Sequence, residues 1–142
     1  MGFKTNYNYF IMEQYLGSKS RIITERVITG VIAAIVILSA VYKLVSGDDS
    51  EGAKNFMKWG LENQIKVIGT FELAFGILFL IPKTFSVGVL LLTAYFGGAI
   101  ATHIEHGEAK NIILPAIIIL LTWIVSYLRN PATFASLFKK TY

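Results

Sequence analysis

GTFELAFGILFLIPKTFSVGVLLLTAYFGGAIATHIEHGE (Gly69–Glu108) is two apolar runs interrupted once, at Pro82-Lys83-Thr84. Proline lacks a backbone N–H and clashes with the preceding turn, so one helix cannot continue through it. The two runs therefore fold back on each other as antiparallel neighbours. The first holds a single carboxylate, Glu72, and the second ends by releasing His103, Glu105, His106 and Glu108 within six positions. As helices, runs of 17 residues (Ile65–Ile81) and 18 residues (Phe85–Thr102) measure about 26 to 27 Å, one crossing of a hydrocarbon core.

Two further windows flank this hairpin, Val27–Val45 and Ile112–Leu128, and charge is almost absent from all four. Over 142 residues, 54% are hydrophobic and 15% charged, too apolar for an ordinary soluble domain. Four helices around a soluble core would show polar faces at helical period, and a window such as LPAIIILLTWIV has none. The expected fold is all-α, an integral membrane four-helix transmembrane bundle in contact with the lipid bilayer. The chain has no cysteine, which excludes disulfides, thiolate metal sites, iron–sulfur clusters and c-type haem attachment.

Four spans put both termini on one side, which collects Lys4, Lys19, Arg21, Arg26, Lys83, Arg129, Lys139 and Lys140, eight of the thirteen basic residues. The positive-inside bias assigns that side to the cytoplasm, in a bacterial-type inner membrane. The net charge of +4 thus reports topology, not affinity for nucleic acid, and the basic residues form no single patch. Residues 1–26 have no continuous apolar core and do not read as a cleavable signal peptide, so the first span is expected to stay as an anchor. That segment, with its NYNYFIMEQYLG, is expected to lie in the cytoplasmic interface or to be disordered, and Met12 is an alternative start. Residues 27–128 are then the membrane domain and 129–142 a basic cytoplasmic tail. The longest connection, Ser46–Gln64, opens on the turn-rich SGDDSEG and continues as AKNFMKWGLENQ, an interfacial helix that would set Phe56, Met57 and Trp59 at headgroup level.

Helices in lipid associate where small residues let backbones approach. Ala94, Gly98 and Thr102 recur every fourth residue, with Gly97 and Ala101 on the adjacent stripe, which predicts a packing seam on the third span or a backbone surface lining a cavity. Gly69, Glu72 and Gly76 share one face of the second span. An unpaired charge at that depth costs at least about 2.5 to 3.5 kcal/mol, so Glu72 must be neutral, paired or wet. Lys43 is the obvious partner, since a depth difference of about 6 Å is within reach of a lysine stem. The pair reads either as a buried ion pair that fixes helix neighbours or as part of a ligand or proton site.

His103 and His106, one turn apart, would need a third ligand to hold a metal, and no metal site is expected. His103 is the deeper of the two and is placed to hydrogen-bond within the bundle or to relay protons, whereas His106 is expected to be solvated. Pro115 stands in a first turn where it is tolerated, and Trp123 with Tyr127 reads as packing and aromatic belt. No nucleophile elbow, P-loop, dinucleotide fingerprint or zinc-protease motif is present.

These residues resemble the DoxX-like family of small integral membrane proteins. The shared pattern is Gly69, Glu72 and Leu73 in the second span, then Leu80, Pro82, Lys83 and Thr84, then Gly88, Leu91 and Leu92, and Gly98, Ala99 and His103 closing the third. ILSAVYKLV is similar to the family's first span, with Lys43 at its lysine, and the likeness covers roughly residues 27–128. The resemblance implies a compact four-helix membrane bundle. It also implies a link to small subunits of quinone-linked sulfur oxidation; thiol-redox members of similar fold have no counterpart in a chain without cysteine.

The leading expectation is an accessory component of a quinone-linked or other membrane redox system. In it, Lys43, Glu72 and His103 line a small polar pocket for a quinone or lipid-like molecule, open to the non-cytoplasmic side. If the protein is redox-active, it acts as a non-thiol subunit of a quinone-linked oxidoreductase. The alternative is a scaffold or assembly protein in which the same residues only lock helix pairing, marked by a closed Lys43–Glu72 contact in a cavity-free bundle. A small transporter fits less well, for want of polar residues beyond Ser39, Ser86 and Thr93 in the cytoplasmic half. Self-association or a partner membrane subunit is compatible with the small-residue stripes, which fix no stoichiometry.

Overall fold

No water in a hydrocarbon core takes up backbone N–H and C=O groups, so each crossing segment must satisfy them internally. The chain does so with helices: α1 (Phe3–Val45), α2 (Glu51–Lys58), α3 (Ile65–Leu80), α4 (Phe85–Glu105) and α5 (Ile113–Arg129). This computed structural model describes the backbone of residues 3–47 and 50–131, and side chains from residue 18 onward within those ranges. There is no strand among the described residues. Four stretches are long and apolar enough to cross a membrane, Ser18–Val45, Glu62–Leu80, Phe85–Glu105 and Ala109–Arg129. The protein is therefore an all-α, multi-pass membrane protein.

Local chemistry ends each helix. Ile81 precedes Pro82, which disfavours helical backbone before it, and Ile81 is extended at φ −77°, ψ 122°. Thr84 then closes the turn, its Oγ1 donating to Leu78 O at 2.8 Å. Gly60 and Gly107 take positive φ, 67° and 72°, after α2 and α4. Each allows the next residue's N–H to return to a final-turn carbonyl, Leu61 to Phe56 O and Glu108 to His103 O, both at 2.8 Å. The expected interfacial helix is α2, N-capped by Ser50, whose Oγ accepts from Ala53 N at 3.2 Å. α1 begins at Phe3 and passes position 26 without a break, and the expected basic tail lies, from residue 132 on, outside the described residues.

The four spans form a closed ring in which α1 touches α3, α3 touches α4, α4 touches α5, and α5 returns to α1. α3 lies close on α1 at two glycines. A Cβ at Gly69 would be 3.0 Å from Lys43 Cβ, and one at Gly76 would be 3.0 Å from Val36 Cγ1. The seam expected at Ala94, Gly98 and Thr102 is not a helix contact among the described residues. Ala94 is exposed, and nothing lies within 4 Å of a Cβ built at Gly98. α4 instead packs through Phe85, Gly88, Val89, Leu92 and Phe96, the face that larger side chains can fill.

The core is not spread evenly along the ring. Ile32, Val36, Phe79, Phe85, Val89, Leu92, Ile118 and Val125 pack from the middle of the spans toward the Pro82 turn. Toward the other end, where α2 lies, the helices part. The outer faces present Leu38, Leu90 and Leu120, each more than 60% exposed and suited to lipid.

Candidate functional site

Where the helices part they enclose a cavity of about 720 Å³, reached by side chains of α1 to α5. Its floor is polar. Lys43 Nζ donates to Glu72 Oε2 at 2.7 Å and to Ser39 Oγ, one turn deeper on α1, at 2.6 Å. Tyr95, on α4, lies beside the same Glu72 carboxyl and lines the cavity with it. The glutamate side chain is 2% exposed and the lysine 16%, so the pair is largely buried, and both residues line the cavity. The walls are apolar, with Ile68, Phe96, Ile113, Leu114 and Ile117 among the lining residues.

α5 gives the cavity an edge on the outer surface. Ile113, Leu114 and Ile117 line it and are also 61%, 58% and 46% exposed, on the side a bilayer would cover. Gly98, Ala99 and Thr102 line it as well, so the small-residue run of α4 makes room instead of a helix contact.

The mouth is built from α2 and the end of α4. Phe56 and Trp59 project from α2 over the cavity. The Trp59 ring meets His103 edge-on at a centroid distance of 5.2 Å and His106 at 5.7 Å. Its indole N–H is buried and points toward Glu108 without reaching a partner. Glu108 Oε2 accepts from Asn111 Nδ2 at 2.9 Å and pairs with His103 Nδ1 at 3.2 Å. His106 is exposed, with Nδ1 2.8 Å from Thr102 O. No three metal-ligating side chains converge among the described residues.

The hydrogen bond from Asn111, followed by the contact with His103, holds the Glu108 carboxyl below its ordinary value of 4.5. A carboxyl depressed by folding contributes stability above its unfolded value and loses it as pH falls through the folded one. Glu108→Gln is therefore expected to flatten the acid-side fall in melting midpoint between about pH 5 and pH 3. Thermal scans of both proteins across that range check this, and identical acid profiles would remove the role given to Glu108.

Of the three residues singled out in the sequence, Lys43 and Glu72 meet, and His103 lines the same cavity without joining them. His103 and Tyr95 are eight positions apart on one helix, about 12 Å along the axis. Sequence reasoning missed Ser39, Tyr95 and Trp59 as parts of the site. The aromatic-rich connection that holds Trp59 was the available signal for the last of these.

A second ion pair closes the opposite end. Arg129 Nη2 donates to Glu25 Oε1 at 2.6 Å, Thr29 Oγ1 donates to the same oxygen at 3.1 Å, and the guanidinium lies 3.8 Å above the Phe85 ring. Glu25 is 7% exposed and the Arg129 side chain 28%, so the pair ties α1 to α5 beside Phe85 of α4 with the glutamate buried and the arginine partly open.

Comparison with curated proteins and with solved structures returns no match. A family model described as the DoxX-like family matches residues 27–125, which reaches into all four apolar spans and includes both residues of the Lys43–Glu72 pair. With that match over most of the chain, and with the membrane helices that the family motif predicts, the protein belongs to the DoxX-like family.

Proposed function

We propose that the protein binds a membrane-dissolved amphiphile, a quinone or a lipid, in the cavity between its four spans. It would serve there as an accessory component of a quinone-linked or other membrane redox system. In this reading it sits in a bacterial-type inner membrane with both termini cytoplasmic, and the cavity opens toward the non-cytoplasmic side. The observation that supports it is the cavity itself: about 720 Å³, polar at its floor, apolar along its walls, and bordered by exposed α5 residues. A ligand arriving from lipid need not cross water to enter. Lys43, Glu72 and His103 are the polar groups of the site.

The competing reading is a scaffold in which these groups only fix helix neighbours. The closed Lys43–Glu72 contact favours it, and the open space beside that contact does not. Gly98→Leu separates the two. A side chain there enters open space, so it fills the cavity while leaving helix contacts in place. In nanodiscs, Gly98→Leu is expected to weaken binding of decylubiquinone about tenfold or more with an unchanged melting midpoint. Glu72→Gln and His103→Ala should each weaken it to a smaller extent. Equal binding by wild type and all three variants would sink the ligand reading in favour of the scaffold.

A further inference from the structure

The cavity has two borders of opposite character. Along α5 it meets the bilayer side, where Ile113, Leu114 and Ile117 both line it and stand exposed. At the border formed by the polar connection, α2 runs from the end of α1 to the end of α4. Its start lies on Tyr42 of α1: a Cβ at Gly52 would be 2.8 Å from Tyr42 Cε1, and Ser50 stands beside the Tyr42 hydroxyl. Its far end is Trp59, whose ring meets His103 edge-on at 5.2 Å, His106 at 5.7 Å and Phe56 at 5.4 Å. Between these ends the helix is two-sided. Ala53 is buried and Phe56 and Trp59 line the cavity, at a spacing of three that keeps them on one face, while Lys54, Asn55 and Lys58 are exposed. Gly60, at φ 67°, then reverses the chain so that Leu61 N–H returns to Phe56 O, which fixes where Trp59 stands. Lys110 and Asn111 also border the cavity at this end and are exposed, so the task of keeping water out there falls to Trp59 and the rings around it.

We propose that α2 is a strap across the water-side mouth and that Trp59 is the group that closes it, so that a ligand exchanges with the bilayer past α5 and not with the aqueous phase. This rests on the ligand reading above and adds to it the route, which limits the ligands to molecules dissolved in the membrane. An indole is a broad, rigid and mostly apolar plate. Set against two imidazoles, it covers the mouth by its area, and its own buried N–H has no hydrogen-bond partner. The strap is tied differently at its two ends. At α1 the Tyr42 ring packs on the backbone of Gly52, and at α4 the ring contacts of Trp59 hold it. Alanine at position 59 removes the second tie and leaves the first. The α5 border needs no such closure, because its exposed aliphatic side chains are wetted by lipid chains and not by water.

A chain without cysteine makes the test direct. Gly98→Cys sets a single thiol in the cavity, and Gly97→Cys sets one on the same helix outside the cavity lining; neither Cβ meets anything within 4 Å. Both variants are labelled in phosphatidylcholine nanodiscs, with no ligand added, by two thiol reagents. One is a quaternary-ammonium methanethiosulfonate that stays in water, and the other is benzyl methanethiosulfonate, which dissolves in the bilayer. Trp59→Ala is expected to raise the rate of the cationic reagent at Gly98→Cys about tenfold or more, the scale that two ring contacts support. Trp59→Phe, which keeps a ring, should raise it much less. The benzyl reagent should reach Gly98→Cys with Trp59 in place, and Gly97→Cys should label alike in every background. A cationic rate unmoved by Trp59→Ala, an equal rise at Gly97→Cys, or a Gly98→Cys thiol closed to the benzyl reagent would each overturn the proposal. Because the labelling uses no ligand, that result leaves the ligand reading to its own binding test, and a failure of decylubiquinone to bind would leave the labelling result standing.

Discussion

Gly88→Ala is expected to be among the most damaging single-atom additions this chain can receive. Gly88 lies in the first turn of α4 and faces the last turn of α3. A Cβ there would fall on Phe79 N and 2.5 Å from Phe79 Cα, with Leu78 C at 2.9 Å. These are backbone atoms, which no rotamer change can move aside. The hairpin would have to open, parting the Phe79 and Phe85 rings, now 5.0 Å apart, and stretching the Thr84–Leu78 hydrogen bond. The expected cost is about 3 kcal/mol or more, at the upper end of overpacking. Gly98→Ala, in the same helix, is the control. Its Cβ meets nothing within 4 Å, and alanine is favoured over glycine in helices by about 1 kcal/mol, so that variant should be neutral or slightly stabilised. Denaturation midpoints in one detergent compare the two, and a Gly88→Ala protein as stable as wild type would show that the α3–α4 contact is looser than described.

Lys43→Met should cost about 3 to 5 kcal/mol, because it leaves the Glu72 carboxyl buried without its countercharge. Removing both charges is a different experiment. Lys43→Met combined with Glu72→Met takes away the desolvation cost along with the attraction, and is expected to recover most of the stability lost in the single variant. Unfolding in detergent of the two singles, the double and the wild type gives the coupling between the residues. If Lys43→Met unfolds like wild type, the ion pair contributes nothing to holding α3 against α1.

The four spans were legible because hydrocarbon thickness imposes a length and the Pro82 turn imposes a fold-back. Lys43 and Glu72 were legible as partners for a related reason: a charge at that depth must find another. The Glu25–Arg129 pair was not, because both residues stand just outside their apolar windows, where charge ordinarily means water. Only the extension of α1 beyond Val27, and its contact with the end of α5, turns that border into an interior. The small residues of α4 show a different limit. Their period tells that a neighbour can come close, not that one does, and the contact face of the helix is taken by the stripe that begins at Phe85 and Gly88. Tyr95 and Ser39 have nothing in their local sequence to distinguish them. They enter the site because the ring of helices brings them beside the ion pair.

The Glu25–Arg129 pair also has a meaning in time. A ribosome makes α1 first and α5 last, so for most of synthesis Glu25 has no countercharge. The helices made before Arg129 can pair as hairpins, but α1 cannot seal against its final neighbour until nearly the whole chain has left the exit tunnel. Closure of the ring thus waits on the last of the four spans. A chain truncated within α5 would keep the first three spans and the Lys43–Glu72 contact, yet would lack the arginine that answers Glu25.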